Sequence, residues 1–161
     1  MSQQTKGPYS ADQVAILIGN PLGGVIPLPE GLSLGHTITG RGTDAFLSVA
    51  REGPVTTKTV GADGEAAPSI AKNASGSFTI TVLQTSVSNT ILSSILTAWE
   101  NEVARFYFPV TVVDTSSQGS LYEAEQCWIQ GWPEAAFGVA VGQNTWVIET
   151  GVLRMFHGSR G

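Results

Sequence analysis

The chain has 161 residues, the length of one ordinary domain, and we expect a single domain over residues 1–161. Charged side chains make up 13% of the chain, and its formal net charge is −5. An average globular domain has roughly 25% charged residues. The acidic balance excludes a protein that holds nucleic acid with clustered lysine and arginine. The shortage of charge predicts surfaces that other protein molecules cover; the alternative is a Ser/Thr-rich monomer, since serine and threonine number 31.

Cysteine content and the N-terminal sequence bear on the cellular location. Cys127 is the single cysteine, which excludes an internal disulfide framework and a cysteine-based metal site. The N-terminal residues lack the apolar core of a secretory signal. No apolar run approaches the roughly 20 residues that cross a bilayer. We therefore expect synthesis and assembly in a cytoplasm, with no membrane partner.

The first part of the chain predicts a strand at Gln13–Ile18 and then a long extended loop at Pro21–Gly42. The loop is rich in glycine and proline, which disfavour strand and helix, yet it carries apolar side chains that disordered linkers usually lack. Long loops in compact domains are often functional. We predict that it packs on a neighbouring subunit; the alternative is a loop folded over its own sheet. The candidate contact residues are Leu22, Val25, Ile26, Leu28, Leu32 and Leu34.

The middle of the chain predicts a run of short strands at Ala45–Ala50, Val55–Val60 and Ser77–Gln84. The Asp-Gly pair within Gly61–Glu65 predicts a tight hairpin turn, because both residues tolerate positive φ. The strand Ser77–Gln84 has the clearest alternation. Its apolar face consists of Phe78, Ile80 and Val82.

A helix of about Ser88–Glu102 follows, because the apolar period changes to that of a helical stripe. Ser86 or Ser88 can supply its N-cap oxygen. The stripe should pack on one face of a sheet. It consists of Ile91, Leu92, Ile95, Leu96 and Trp99.

The last third returns to strand patterns. Pro109 should lie at an edge or kink, and Gly151 at a bulge or sharp bend. The pattern therefore predicts a mainly β fold with one helix. The predicted strands are Arg105–Val113, Leu121–Gln130, Val139–Val141 and Thr145–Phe156.

Catalytic and metal-binding patterns are weak, and we expect no enzyme, no metal and no cofactor. Residues 31–35 match the nucleophile elbow of hydrolases around Ser33, but no strand precedes them and no helix follows. His36 and His157 have no neighbours at metal-ligand spacing. Glu123 and Glu125 share one strand face, where acid–base chemistry is conceivable, although two solvated carboxylates are the simpler interpretation.

The order of these segments resembles the tail tube proteins of contractile-tailed bacteriophages, over roughly Val55–Phe156. The residues that carry the resemblance are a strand pair turning through GADGE, the uncharged strand SGSFTITVLQTS, the helix start SNTILSSIL, and FPVTVVDTSSQGSLYEAEQCWIQGWPEAAFG before a closing strand. The resemblance depends on the order of these segments, because no short sequence signature defines the family.

The resemblance implies a β-sandwich or partial barrel with one packed helix, and the role of a structural virion protein. Six protomers would form a ring, and rings would stack into a tube through which DNA passes without specific binding. The partners would be further copies, the tail sheath protein, and baseplate and tail terminator proteins. Strand alternation gives Thr79, Thr81, Glu123 and Glu125 as candidate lumen residues. The alternatives are a terminator or baseplate-proximal protein of similar design, and a monomeric β-barrel that binds a small ligand among its tryptophans.

Overall fold

The computed structural model describes residues 14–19, 36–42, 46–101, 107–114 and 120–158. These residues are mainly β with one helix, as the sequence predicts. In chain order the elements are β1 (Val14–Ile18), β2 (His36–Thr37), β3 (Leu47–Arg51), β4 (Thr56–Val60), β5 (Ala66–Ile70), β6 (Gly76–Leu83), α1 (Ser88–Glu100), β7 (Phe108–Asp114), β8 (Leu121–Ile129), β9 (Gln143–Thr150) and β10 (Arg154–Phe156).

Eight of the strands form one antiparallel sheet. Its order is β2-β1-β7-β8-β9-β6-β3, and β10 pairs with β8 beyond the end of β9. β4 and β5 form a separate two-stranded sheet. In the described part of the chain the strand order runs from β2 at one end to β3 at the other, and the sheet does not close into a barrel. Residues 40–42, which follow β2, pair with β6 next to β3: the Gly42 N–H donates to the Thr81 carbonyl at 2.9 Å, and the Leu83 N–H donates to the Gly40 carbonyl at 2.6 Å.

One core lies between α1 and the sheet. The alternation of β6 sets its inner face, because Phe78, Ile80 and Val82 are fully buried while the residues between them are half-buried. The predicted stripe of α1 is buried on the same core, with Trp99 partly buried at its edge. Each such side chain contributes roughly 1.5–3 kcal/mol on burial. The largest fully buried side chains include Trp146, Phe78, Phe108, Leu92 and Leu153.

The β7–β8 pairing is interrupted at Pro109. Phe108 pairs with Cys127 and Val110 pairs with Ala124, so the one residue Pro109 lies opposite two residues of β8. Proline cannot donate to a ladder and is found at such bulges. The predicted kink at Pro109 is confirmed.

The pairing on the other side of β8 is interrupted at the same level. Thr150 of β9 pairs with Cys127, and the ladder resumes only where Arg154 of β10 pairs with Glu123. Between β9 and β10 the chain bends away from β8 at Gly151, and the predicted bend is confirmed. In this bend the Leu153 N–H donates to the Ala74 carbonyl at 2.8 Å. We call the β8 residues Glu125 and Gln126, which lack ladder partners on both sides, the β8 break.

Side chains satisfy carbonyl groups beside the β8 break. The Thr150 hydroxyl donates to the Gln126 carbonyl at 2.8 Å, and the Cys127 thiol lies 3.7 Å from the Ala124 carbonyl. Burial raises the pKa of the Cys127 thiol to about 11. This cysteine is therefore an unreactive core residue, because the thiolate is the nucleophilic form.

Two predictions about local structure are wrong. Val139–Val141 is not a strand; these residues lie in the irregular segment 130–142, where no described strand pairs with them and both valines are exposed. Val87, and neither Ser86 nor Ser88, occupies the N-cap of α1, and its side chain makes no capping bond. The Ser86 hydroxyl oxygen, one position earlier, accepts a hydrogen bond from the Ser88 N–H at 3.2 Å. Both serine hydroxyls also bind Thr39, as described below.

The predicted loop Pro21–Gly42 is partly corrected. Its residues 36–37 form β2, because they pair with Leu17 and Ile18 of β1. Residues 21–35 lie outside the described residues. The helix ends at Glu100, and the predicted end at Glu102 lies outside them as well.

Replacing Gly76 with alanine should destabilise the fold by about 1–3 kcal/mol, as overpacking typically does. A Cβ at this position would lie 2.5 Å from Leu153 Cδ2 and 2.6 Å from the Ala50 carbonyl oxygen, and backbone cannot yield as a flexible side chain can. Chemical denaturation measures the change in unfolding free energy.

Gly53→Ala is the matched control, because a Cβ there would meet nothing within 4 Å. It should change stability by no more than about 0.5 kcal/mol. Equal stability of the two variants would contradict the close approach of Leu153 and β3 to Gly76.

Candidate assembly surfaces

The sheet face turned away from α1 carries hydroxyl, apolar and carboxylate side chains. We call it the open face. All four candidate lumen residues lie on it: Thr79 and Thr81 on β6 are half-buried, Glu123 is half-buried on β8, and Glu125 is exposed in the β8 break. Other residues of the open face include Ser48, Ser77, Thr111, Thr145 and Glu149, and the apolar Leu17, Val113, Leu121, Trp128 and Val147.

β9 lies between the two threonines and the two glutamates. Thr79 pairs with Val147, and Thr81 pairs with Thr145, whose hydroxyl oxygen lies 3.4 Å from its own. The structure therefore brings the candidates onto one face without bringing them into contact.

A third carboxylate on the open face was missed by the sequence analysis. Glu149 accepts a hydrogen bond from Trp128 Nε1 at 3.1 Å and another from Gln130 Nε2 at 3.0 Å. Two neutral donors thus fix the carboxylate on the sheet surface. The alternation of the predicted strand Thr145–Phe156 contains this signal, because Thr145 and Glu149 are four residues apart and share a face.

The β8 break opens into a cavity of about 200 Å³ on this face. Glu123, Glu125, Trp128 and Arg154 are among its lining residues. The Arg154 guanidinium lies 3.8 Å from the Glu123 carboxylate, and both side chains are well exposed, so this pair adds little to stability. Three carboxylates and one guanidinium give this part of the open face an acidic balance.

A hairpin, which we call the arm (Val55–Ala71), lies apart from the core. Every residue of β4 and β5 is exposed on both faces of the ribbon. The predicted turn is confirmed: the Gly61 N–H donates to the Glu65 carbonyl at 2.7 Å, and Gly64 has a φ of +84°. Apolar side chains remain uncovered, with Ile70 82% exposed. A two-stranded hairpin is only marginally stable in water, so this arm needs a partner.

A second apolar surface is the irregular segment 130–142. Phe137 is 92% exposed, and Val139 and Val141 are exposed beside it. The segment is nevertheless held to the body: Gln84 Nε2 donates to the Ala136 carbonyl at 2.5 Å, and Trp132 Nε1 donates to Glu100 of α1. Exposed apolar groups presented in a fixed geometry are typical of contact surfaces.

The base of the long loop is fastened to the start of α1. The Thr39 N–H donates to the Ser88 hydroxyl oxygen at 3.0 Å, and the Ser86 hydroxyl donates to the Thr39 carbonyl at 2.6 Å. His36 Nε2 lies 2.9 Å from the same Ser88 hydroxyl. Burial lowers the pKa of His36. The six candidate contact residues of the loop, from Leu22 to Leu34, lie outside the described residues.

Within the ranges it describes, the structure brings no set of metal-binding side chains together. No cluster of three or more His, Cys, Asp and Glu side chains there could hold a metal ion. His157 contacts the Tyr122 hydroxyl at 2.8 Å, and Ser33 lies outside the described residues. No helix among the described residues is both long and apolar enough to cross a bilayer.

Comparisons with known proteins give a family and a related fold. Residues 31–158 match the family model of the bacteriophage PhiTE tail tube protein. The chain is 29% identical over 152 residues to structural protein ORF10 of Pseudomonas phage KPP10, covering 93% of this chain and 82% of that protein. The cryo-EM structure of the tube-terminating cap of the anti-feeding prophage has the same fold, with a TM-score of 0.59 and 6% identity over 97% of this chain and 95% of that one.

His36 should make stability depend on pH. Its pKa in the folded state is lower than in the unfolded state, so the unfolded state binds more protons in acid and unfolding becomes easier. The contribution is complete above the unfolded pKa of roughly 6.5 and is lost as pH falls through the folded value. Thermal unfolding of unassembled protein at pH 7.5 and 5.5 measures it.

His36→Gln keeps a polar group near Ser88 but cannot titrate. The wild type should lose more stability than this variant between the two pH values. Parallel pH profiles for both proteins would contradict the assignment to His36.

Proposed function

We propose, given that the chain belongs to the bacteriophage PhiTE tail tube protein family, that it is the protomer of a six-membered ring that stacks into the inner tube of a contractile phage tail. The observation that carries this proposal is the open sheet, which ends at β2 on one side and β3 on the other. The tube is the conduit for DNA during ejection, and the protomer itself has no catalytic role.

Ring closure follows from the chemistry of these two ends. An edge strand presents unpaired N–H and C=O groups and is an aggregation hazard in a lone molecule. The two ends of the sheet are different strands, so joining the β3 end of one copy to the β1–β2 end of the next is a head-to-tail contact. Such contacts close into a ring when the rotation between copies permits, and lateral growth then stops.

Stacking needs a second contact that does not close. The loop Pro21–Gly42 is our candidate, with Leu22, Val25, Ile26, Leu28, Leu32 and Leu34 packing on the next ring. Its base is anchored by Ser86 and Ser88, which gives the loop a fixed point of departure. The exposed arm is available to the same contact.

The open face supplies the lumen lining in this proposal, and α1 faces outward towards a tail sheath. Lysine and arginine on a lumen would bind DNA phosphates and release their counterions, which slows passage. Thr79 and Thr81 are uncharged, and Glu123 and Glu125 repel phosphate. DNA can therefore pass without specific binding. The protein assembles in the host cytoplasm and remains in the virion, with baseplate and terminator proteins at the two ends of the tube.

Purified protein should form rings or tubes. Negative-stain electron microscopy and sedimentation over a range of concentrations measure this directly. Rings that never stack would favour the terminator or baseplate-proximal alternative. A strictly monomeric species at high concentration would contradict the proposal and favour a monomeric binding protein.

Thiol labelling should distinguish the lumen from the outside of the tube. Thr79→Cys places a thiol on the open face, and Thr97→Cys places one on the exposed side of α1. Cys127 is buried and has a raised pKa, so it gives a silent background. A maleimide carrying a bulky polymer should label position 97 equally in tubes and in unassembled protein, but should label position 79 at least tenfold more slowly in tubes. Equal rates at position 79 would contradict the lumen assignment.

A further inference from the structure

The two edges of the arm are not equivalent, and the hydrogen-bond register shows why. The Ala71 N–H donates to the Val55 carbonyl at 2.8 Å, and the Gly61 N–H donates to the Glu65 carbonyl at 2.7 Å. Bonded and non-bonded pairs alternate along an antiparallel ladder. The bonded pairs between these limits are therefore 57 with 69 and 59 with 67. The backbone groups of the other paired residues point outward, away from the partner strand.

Pro68 is one of the outward-pointing residues of β5, opposite Lys58 of β4. Proline has no N–H, so the outer edge of β5 lacks a donor at its centre and cannot complete a ladder with another strand. The outer edge of β4 has no such gap: Thr56, Lys58 and Val60 all present N–H and C=O groups there. Proline on one edge is a known device for blocking strand pairing.

The open edge of β4 continues the open edge of β3. The Thr81 N–H donates to the Phe46 carbonyl, and the Glu52 N–H donates to the Ser75 carbonyl, so Leu47, Val49 and Arg51 point their backbone groups away from β6. The chain passes from β3 into β4 on one side of the ribbon, and from β5 into β6 on the other. The outer edges of β3 and β4 therefore lie on the same side of the ribbon and are separated by the bend at residues 52–55.

We propose that the outer edge of β4 pairs with an edge strand of a second copy of this chain, while the outer edge of β5 stays unpaired. The proposal rests on the proposed tube and identifies the strand by which the arm joins it. Main-chain pairing of this kind gives affinity without requiring complementary charges. The faces of the arm, with Val60 and Ile70 uncovered, are buried in the same contact.

Charge favours a second copy as the partner. Lys58 is the one charged residue within β4 and β5, whereas the whole chain has a net charge of −5. β4 therefore brings the opposite sign to an acidic copy of the same protein, whereas Asp63 and Glu65 of the turn give the whole arm a net charge of −1. Most of its remaining side chains are Thr, Ala and Ser, which pack on a like surface without desolvating an ion.

Proline substitution tests the edge directly. Lys58→Pro removes an outward N–H and leaves the bonded pairs of the hairpin in place. Tube assembly, measured by pelleting and electron microscopy, should fall at least tenfold. Ala66→Pro is the matched control, because it removes an outward N–H from β5 with the same backbone restriction, and it should assemble like the wild type. Lys58→Thr keeps the N–H and should retain assembly within about twofold.

The outcomes separate this inference from the proposed function. If the wild type never assembles, the proposed tube fails. If the wild type and Lys58→Pro form tubes equally well, or if Ala66→Pro blocks assembly as strongly, the β4 edge is not the contact. Loss of assembly in Lys58→Thr would assign the contact to the ammonium group and overturn the edge pairing. Thermal unfolding of each unassembled variant should match the wild type, because the arm lies outside the core.

Discussion

Unpaired strand edges are the constraint on which the rest of this structure depends. A sheet that ends at β2 and β3 leaves backbone donors and acceptors without partners in the described residues, and these groups are satisfied only by water or by another chain. The arm extends this condition beyond the core, since its strands have an outer edge as well as two exposed faces. In an assembly of identical copies, the edge strands of neighbouring copies can satisfy each other's backbone N–H and C=O groups.

The low content of charged residues suits a protein whose surfaces are covered by other copies. Ions at a permanent interface must be desolvated and paired, whereas serine and threonine hydroxyls and small apolar groups can be buried at lower cost. The surfaces of the protomer nevertheless differ from one another in their side chains. Segment 130–142 presents apolar side chains, the outer side of α1 presents serine and threonine, and the open face gathers its carboxylates around the β8 break. These differences give the protomer distinguishable sides.

The sequence was most informative where one periodicity decided the structure. β6 and α1 follow their apolar patterns closely, because each has one face on the core. Pro109 and Gly151 marked the ladder interruptions because of their own backbone chemistry. Prediction failed where apolar residues are not buried, as at Val139–Val141, and where a strand depends on its partner, as His36–Thr37 depends on β1. The hydrogen bonds that fix Glu149 depend on distant residues and cannot be found by local patterns, although its face could have been.

The β8 break explains how an open sheet can bend while keeping its core. Pro109 interrupts the ladder on one side of β8, and Gly151 releases the chain on the other, at the same level. Paired interruptions of this kind increase local twist. The residues after Gly151 still contribute to the core, because Leu153 is buried. The Leu153 carbonyl also accepts two hydrogen bonds from Arg51, at 3.1 and 2.7 Å. This contact fastens the end of β3 to the bend. β3 leads into the arm, and its last residue is therefore held by the segment that follows the β8 break.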